Sequence, residues 1–267
     1  MGKRDTLMLK TDELAGGLMN FKHSIDFICR ADKKLLARNV KLKEHGKEDF
    51  CFVLGNGPSL KKIDLKSIEA YPCVTVNFFH KGAQEFDSSY HLFIDAVFGG
   101  QYFDYVKEFK KAHPETKLIL RDNMAAKMKQ AGLEDNNNYY VCADYVQKGN
   151  LIRCDMTKEM TGSLNVIPVA IECALYMGYK KIYLLGCDFN SYAVVKDEHF
   201  YDGQEGGRAF ASEHVVGDLI RCALVHKQHF ALEDYSRKNG VKIMNLTEGS
   251  LVSAYERGHL EDILVNR

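Results

Sequence analysis

"FCFVLGNGPSLKKID", Phe50 to Asp64, is the stretch whose reading decides the fold. Phe50–Leu54 is an unbroken run of apolar or small residues, the pattern of a strand buried on both faces. It runs directly into Gly55-Asn56-Gly57-Pro58-Ser59. Gly55 and Gly57 permit positive φ and let a ligand come close to bare backbone. Pro58 suits a first helical position, where its missing N–H is not needed. Ser59 brings a hydroxyl to the free N–H groups and positive dipole end of a helix starting there. A strand, a tight turn and a helix start together accommodate a negative charge. The motif is neither the G-x-G-x-x-G of dinucleotide folds nor a P-loop.

Working outward, apolar runs recur at Cys73–Val76, Leu92–Ile94, Lys117–Leu120, Tyr139–Val141, Lys181–Leu185 and Lys242–Met244. Helical patterns such as "QYFDYVKEFKKA" and "HFALEDYSRKNG" lie between most of them. This alternation predicts an α/β, Rossmann-like fold with a mostly parallel sheet and helices on both faces. Residues 49–267 form that domain. Residues 1–48 read as an N-terminal amphipathic helical appendage, with Leu14, Leu18, Phe21, Ile25, Ile28, Leu35 and Leu36 at helical spacing among lysines and arginines. Such a helix packs on the domain or a sister subunit, or lies on an anionic membrane surface. The weakly patterned segment at about 190–214 reads as a lid loop.

Lysine plus arginine and aspartate plus glutamate are equal at 36 each, so no basic field argues for duplex nucleic acid. The 8 cysteines form no C-x-x-C pair and read as small buried hydrophobes in a reducing compartment. No apolar run reaches the roughly 18 residues of a membrane span. The expected location is the cytoplasm, with peripheral contact at the inner face of a membrane as a further option.

A second cluster lies at Thr161-Gly162-Ser163, before a helical pattern, and at Gly186-Cys187-Asp188-Phe189, after the run "KIYLL". Ligands of open α/β sheets bind outside the carboxyl ends of strands, so both clusters are expected at one crevice. Asp188 reads equally well as a turn cap.

These residues resemble the bacterial sialyltransferases of glycosyltransferase family 42. They also resemble the broader MptE-like group, which includes a 6-hydroxymethylpterin pyrophosphokinase. "GNGPSLKKID" resembles the family's nucleotide loop, "VNFFH" its second strand, and "MGYKKIYLLGCDF" its glycine-aspartate segment. The resemblance implies that Asn77 contacts a donor cytidine phosphate and that Tyr192, within "SYA", holds the donor phosphate. Asn190 departs from the family's tyrosine, and "EHFYDG" supplies one histidine where the family has His-x-x-x-His. The implied function is transfer of a sialic acid or related nonulosonate from a CMP-activated donor to a surface glycan or glycolipid, as in lipopolysaccharide or capsule synthesis, by a homo-oligomer. The alternatives are an ATP-using pyrophosphokinase of the pterin type and a nucleotide-binding module without turnover.

Such a transfer needs a base for the acceptor hydroxyl and stabilisation of the departing phosphate. Histidine suits the first, its reference pKa lying near neutrality. His199, flanked by Phe200 and Tyr201 that can stack on a sugar or base, is the first choice, and His214 the second. His226 and His229, three apart on a helix, read more simply as surface residues. The absence of an Asp-x-Asp motif argues for a route without metal or other cofactor. The expected substrate-binding set is Gly55, Asn56, Gly57, Pro58, Ser59, Asn77, Asp95, Thr161, Gly162, Ser163, Gly186, Asp188 and Phe189.

Overall fold

All five residues of the first strand, β1 (Phe50–Leu54), are buried, because it lies inside a parallel sheet covered on both faces. The computed structural model describes residues 17–29, 31–44, 49–190, 199–201 and 215–265. The further strands are β2 (Cys73–Val76), β3 (Tyr90–Phe93), β4 (Lys117–Arg121), β5 (Asn138–Tyr145), β6 (Glu159–Thr161), β7 (Lys181–Leu185), β8 (Lys242–Asn245) and β9 (Glu256–Arg257). They form one nine-stranded sheet in the order β6-β5-β4-β3-β2-β1-β7-β8-β9, and every neighbouring pair is parallel. The α/β, Rossmann-like expectation holds. The runs at Leu92 and Tyr139 belong to strands that begin one or two residues earlier.

Strand alternation sorts the core into two layers. From β1, Cys51 and Val53 point to one face, with Ile171, Cys173 and Ala174 of a covering helix. Phe50, Phe52 and Leu54 point to the other. Six of the eight cysteines are buried. The covering helix spans Val166–Met177, and its sequence is apolar nearly all round because both its sides are packed. Asn165 caps its start by accepting from the Ile167 N–H at 2.9 Å. Gly178, at φ 96°, ends it in the left-handed conformation. This helix carries the chain from β6 at one edge across to β7 beside β1, so strand order reverses between β1 and β7.

The division expected near residue 48 does not divide the packing. Leu36 and Leu42 are both fully buried, one in each core layer. Buried Asn39 donates through Nδ2 to the carbonyls of Tyr140 and Met156, each at 2.6 Å. Residues 31–44 are therefore part of the domain's core. A helix over residues 17–29 precedes them, and it packs through Asn20 and through Phe27, which lies against the core layer that holds Leu36. Asn20 exchanges two hydrogen bonds with the backbone of Val146, at 2.8 and 2.7 Å, while Leu18, Phe21, Ile25 and Ile28 are exposed. Truncating Leu36 to alanine should cost about 2–5 kcal/mol of unfolding free energy in urea. An unchanged unfolding midpoint would mean that this segment is the appendage its sequence suggests.

Among the described residues, no helix is long and apolar enough to cross a membrane. Most of the lid expected at about 190–214 lies outside the described residues. A helix over Val215–Lys238 follows it.

Candidate functional site

The reversal of strand order leaves a crevice beyond the carboxyl ends of β1 and β7, where open α/β sheets hold their ligands. A cleft of about 610 Å³ lies there. The structure brings Gly55, Asn56, Gly57, Pro58, Asn77, Asp95, Gly186, Asp188, Phe189 and His199 together in its walls. Thr161 is buried beneath, its hydroxyl accepting from the Arg153 N–H at 2.8 Å. Gly162 and Ser163 line a neighbouring pocket with Arg121 and Asp144 instead. In their place Leu164 and Asn165 border the cleft. Tyr192 and His214 lie outside the described residues.

The glycine-rich turn differs from its reading in one physical respect. Neither Gly55 nor Gly57 has positive φ; Gly57 sits at φ −68°. Their lack of a side chain serves close packing between two loops. A Cβ on Gly55 would overlap the Gly186 carbonyl oxygen, and one on Gly57 would overlap the Asp188 carboxylate. The helix that follows is a five-residue 3-10 turn, Pro58–Lys62. Its start already holds a negative charge, the protein's own. Ser59 Oγ donates to Asp188 Oδ2 at 2.6 Å, and the Ser59 N–H donates to Oδ1 at 3.2 Å. Burial raises the Asp188 pKa, and the Ser59 bonds oppose that rise. Ser59 and Asp188 thus tie the β1 and β7 loops together. Gly57→Val should break this tie and lower stability by about 2–4 kcal/mol, read as a drop in Tm. A variant as stable as the parent would mean that the two loops separate without cost.

Two non-glycine residues with positive φ, Asn77 and Phe189, both at 50°, follow β2 and the β7 turn. Left-handed backbone is unusual for asparagine and a genuine outlier for phenylalanine, and such outliers gather at functional sites. Asn77 is held from behind. His91 donates through Nε2 to the Asn77 carbonyl at 3.0 Å, and its Nδ1 lies 2.7 Å from Thr75 Oγ1. In front, Asn77 Nδ2 donates to Asp95 Oδ2 at 2.9 Å. Burial raises the Asp95 pKa, opposed by the Asn77 bond and by Arg121.

His199 borders the cleft with its ring stacked on Tyr201, centroids 5.0 Å apart. The next residue anchors it, since the Phe200 N–H donates to the Asn56 carbonyl at 3.1 Å. Phe200 itself packs against Phe79, and Tyr201 is buried beside Phe78. These two aromatics belong to the core rather than standing free as stacking platforms.

Three buried polar atoms of cleft residues have no hydrogen-bond partner among the described residues: Asn56 Oδ1, Asn77 Oδ1 and His199 Nε2. An unsatisfied buried polar atom costs about 1–3 kcal/mol, so each of the three would gain from a further partner. His229 was the least expected member. It is 1% exposed, borders the cleft, and hydrogen-bonds through Nδ1 to Tyr255. The capping potential of Asn165, directly before an apolar helix, was a readable signal for that residue.

No protein-family model and no curated protein matches the chain. Among solved structures, the MAf glycosyltransferase from Magnetospirillum magneticum AMB-1 is similar at 13% identity, with a TM-score of 0.46 over 85% of this chain. This chain spans 38% of that one. A likeness this faint assigns no residue and no substrate.

Proposed function

We propose that the chain is a glycosyltransferase that takes a nonulosonate such as sialic acid from a CMP-activated donor and places it on a glycan acceptor. The observation that carries this reading is the trio of unpartnered atoms in a cleft at the strand-order reversal. Asn56 Oδ1 and Asn77 Oδ1 are acceptors, which suits the exocyclic amine of a cytosine or the hydroxyls of a ribose. The side-chain donors bordering the cleft are neutral amides, imidazoles and phenols, among them Gln101, Tyr102, Asn165 and Asn190. Neutral donors suit the single negative charge of a nucleoside monophosphate ester better than the multiple charges of a triphosphate. His199 Nε2, buried without a partner among the described residues, fits the role of base toward an acceptor hydroxyl.

In this reading Asn56 and Asn77 hold the nucleotide, with Asn77 kept in its strained backbone by His91. His199 then removes the proton from the acceptor hydroxyl as its oxygen attacks the anomeric carbon. The bond to the phosphate oxygen breaks, and CMP leaves with the electron pair. Water must be kept out, because it would compete with the acceptor.

A thermal-shift screen with CMP, CDP, UDP, GDP and ATP, with and without magnesium, tests the proposal. CMP should raise Tm without magnesium. A response to ATP and magnesium alone would favour the pyrophosphokinase chemistry instead. Stabilisation by no nucleotide would remove the cleft's assignment.

A further inference from the structure

His229 borders the cleft from the helix Val215–Lys238, and the mechanism above gives it no part. Its ring is 1% exposed and lies 6.2 Å, centroid to centroid, from the strained Phe189. Nδ1 is 2.8 Å from the Tyr255 hydroxyl, itself in the core at 4% exposure. That single contact decides where the proton sits. Among the described residues Tyr255 has no hydrogen-bond partner besides His229. If Nδ1 carried the proton, the phenol would accept it, and the phenol's own O–H would be left in the core without an acceptor. Buried donors are rarely left so, because losing water without a replacement partner is unfavourable. Tyr255 therefore donates, Nδ1 accepts, and the ring proton is on Nε2.

Nε2 has no partner among the described residues, but unlike the phenol it is not fully buried, because the ring borders the cleft. The protein has thus built a fixed N–H donor into the cleft wall and used a buried tyrosine to orient it. Burial, with a smaller contribution from His226, takes the His229 pKa down to about 3. The ring stays neutral at ordinary pH, so this donor cannot become a second acceptor or a cation.

Resting on the nucleotide reading of the cleft, we infer that His229 is a ligand-binding residue whose Nε2–H donates to a phosphate oxygen of the bound nucleotide. Tyr255 is its positioning residue. A phosphate oxygen suits this donor because it only accepts hydrogen bonds. The bond would persist in the departing phosphate, so His229 contributes to donor affinity and to leaving-group stabilisation together.

The test is a calorimetric titration of the full chain with CMP, beside a 15N spectrum of the histidine side chains. The parent should show His229 as a single tautomer with the proton on Nε2. His229→Phe keeps the ring volume and removes the donor, and should raise the CMP Kd by about 10- to 100-fold, the loss of one hydrogen bond to a charged group. Tyr255→Phe removes a single hydroxyl and tests the same idea should His229→Phe not fold. Its spectrum should lose the fixed tautomer, and its Kd should rise about three- to tenfold. A parental spectrum with the proton on Nδ1 overturns the inference. So does a folded His229→Phe protein that binds CMP within twofold of the parent, and that result leaves the nucleotide reading intact. A parent that does not bind CMP at all overturns the CMP reading itself and this inference with it.

Discussion

Replacing His199 with alanine should lower turnover by about two to four orders of magnitude, the usual contribution of a positioned general base. Donor affinity should move by less than about threefold, because the proton is taken only as the acceptor attacks. The expectation rests on three observations. His199 borders the cleft, its Nε2 is buried without a partner among the described residues, and the segment carrying it is fixed by the Phe200 N–H on the Asn56 carbonyl. That last bond joins the base to the nucleotide loop, so the two halves of the reaction share one anchor. Single-turnover rates with saturating donor and acceptor separate chemistry from binding. A His199→Ala enzyme with near-parental turnover, beside a dead His214→Ala enzyme, would move the role to His214. If both variants stay active, no histidine is the base. The non-catalytic and pyrophosphokinase readings would then rise.

Much of the fold was legible because parallel strands buried on both faces write themselves as apolar runs. β1, β2 and β7 begin and end where those runs do. β6 and β9, three and two residues long, are too short to carry any periodicity. The position of the candidate site was legible from the turn at Gly55–Ser59, but its chemistry was not. The negative charge that the turn accommodates is Asp188, 129 residues away in sequence. Such a partnership exists only after β1 and β7 pair, and local spacing cannot announce it. His229 was hidden for a related reason. It sits in a long helix that is covered near its middle and exposed at its start, where Val216, Leu219 and Ile220 face outward. No single stripe of apolar residues marks the buried side of such a helix. The orphaned oxygens of Asn56 and Asn77 are likewise visible only as the difference between donors and acceptors in three dimensions.

The protein should also lose stability steeply between pH 7.5 and 5, ahead of ordinary acid denaturation. His80, His91 and His229 are respectively 4%, 0% and 1% exposed. Burial lowers all three pKa values, to about 3 for His80 and His229 and well below the usual range for His91. Neighbouring histidines add to each shift: His113 acts on His80, His80 on His91, and His226 on His229. In the unfolded chain each returns to about 6.5. Between those limits the unfolded state binds three protons that the folded state refuses. Stability therefore rises with pH across the window and is lost as pH falls through it. Each histidine accounts for about 2 kcal/mol between pH 7.5 and 5. Glu172 works in the opposite sense, because full burial raises its pKa and the folded state then binds its proton more readily. The histidine contribution is a large share of a typical domain's 5–15 kcal/mol, and Glu172 reduces it. Urea unfolding at the two pH values measures the net change, and His80→Phe should shrink the loss by about 2 kcal/mol. Stability that is level or increasing toward pH 5 would show that these rings accept protons in place. The loss should leave the cleft intact until the whole fold goes, because His91, which donates to the carbonyl that holds Asn77 in its left-handed turn, refuses the proton while it is buried. A protonated His91 keeps that bond but must also donate from Nδ1, where Thr75 Oγ1 would have to turn its hydroxyl proton away. Thr75 can do so, since the Tyr90 carbonyl lies 3.3 Å from the same oxygen. What remains unfavourable is the charge itself, buried between Phe93 and Phe109. His91 therefore stays neutral in the folded protein, and nucleotide affinity should hold across this interval until the fold itself is lost.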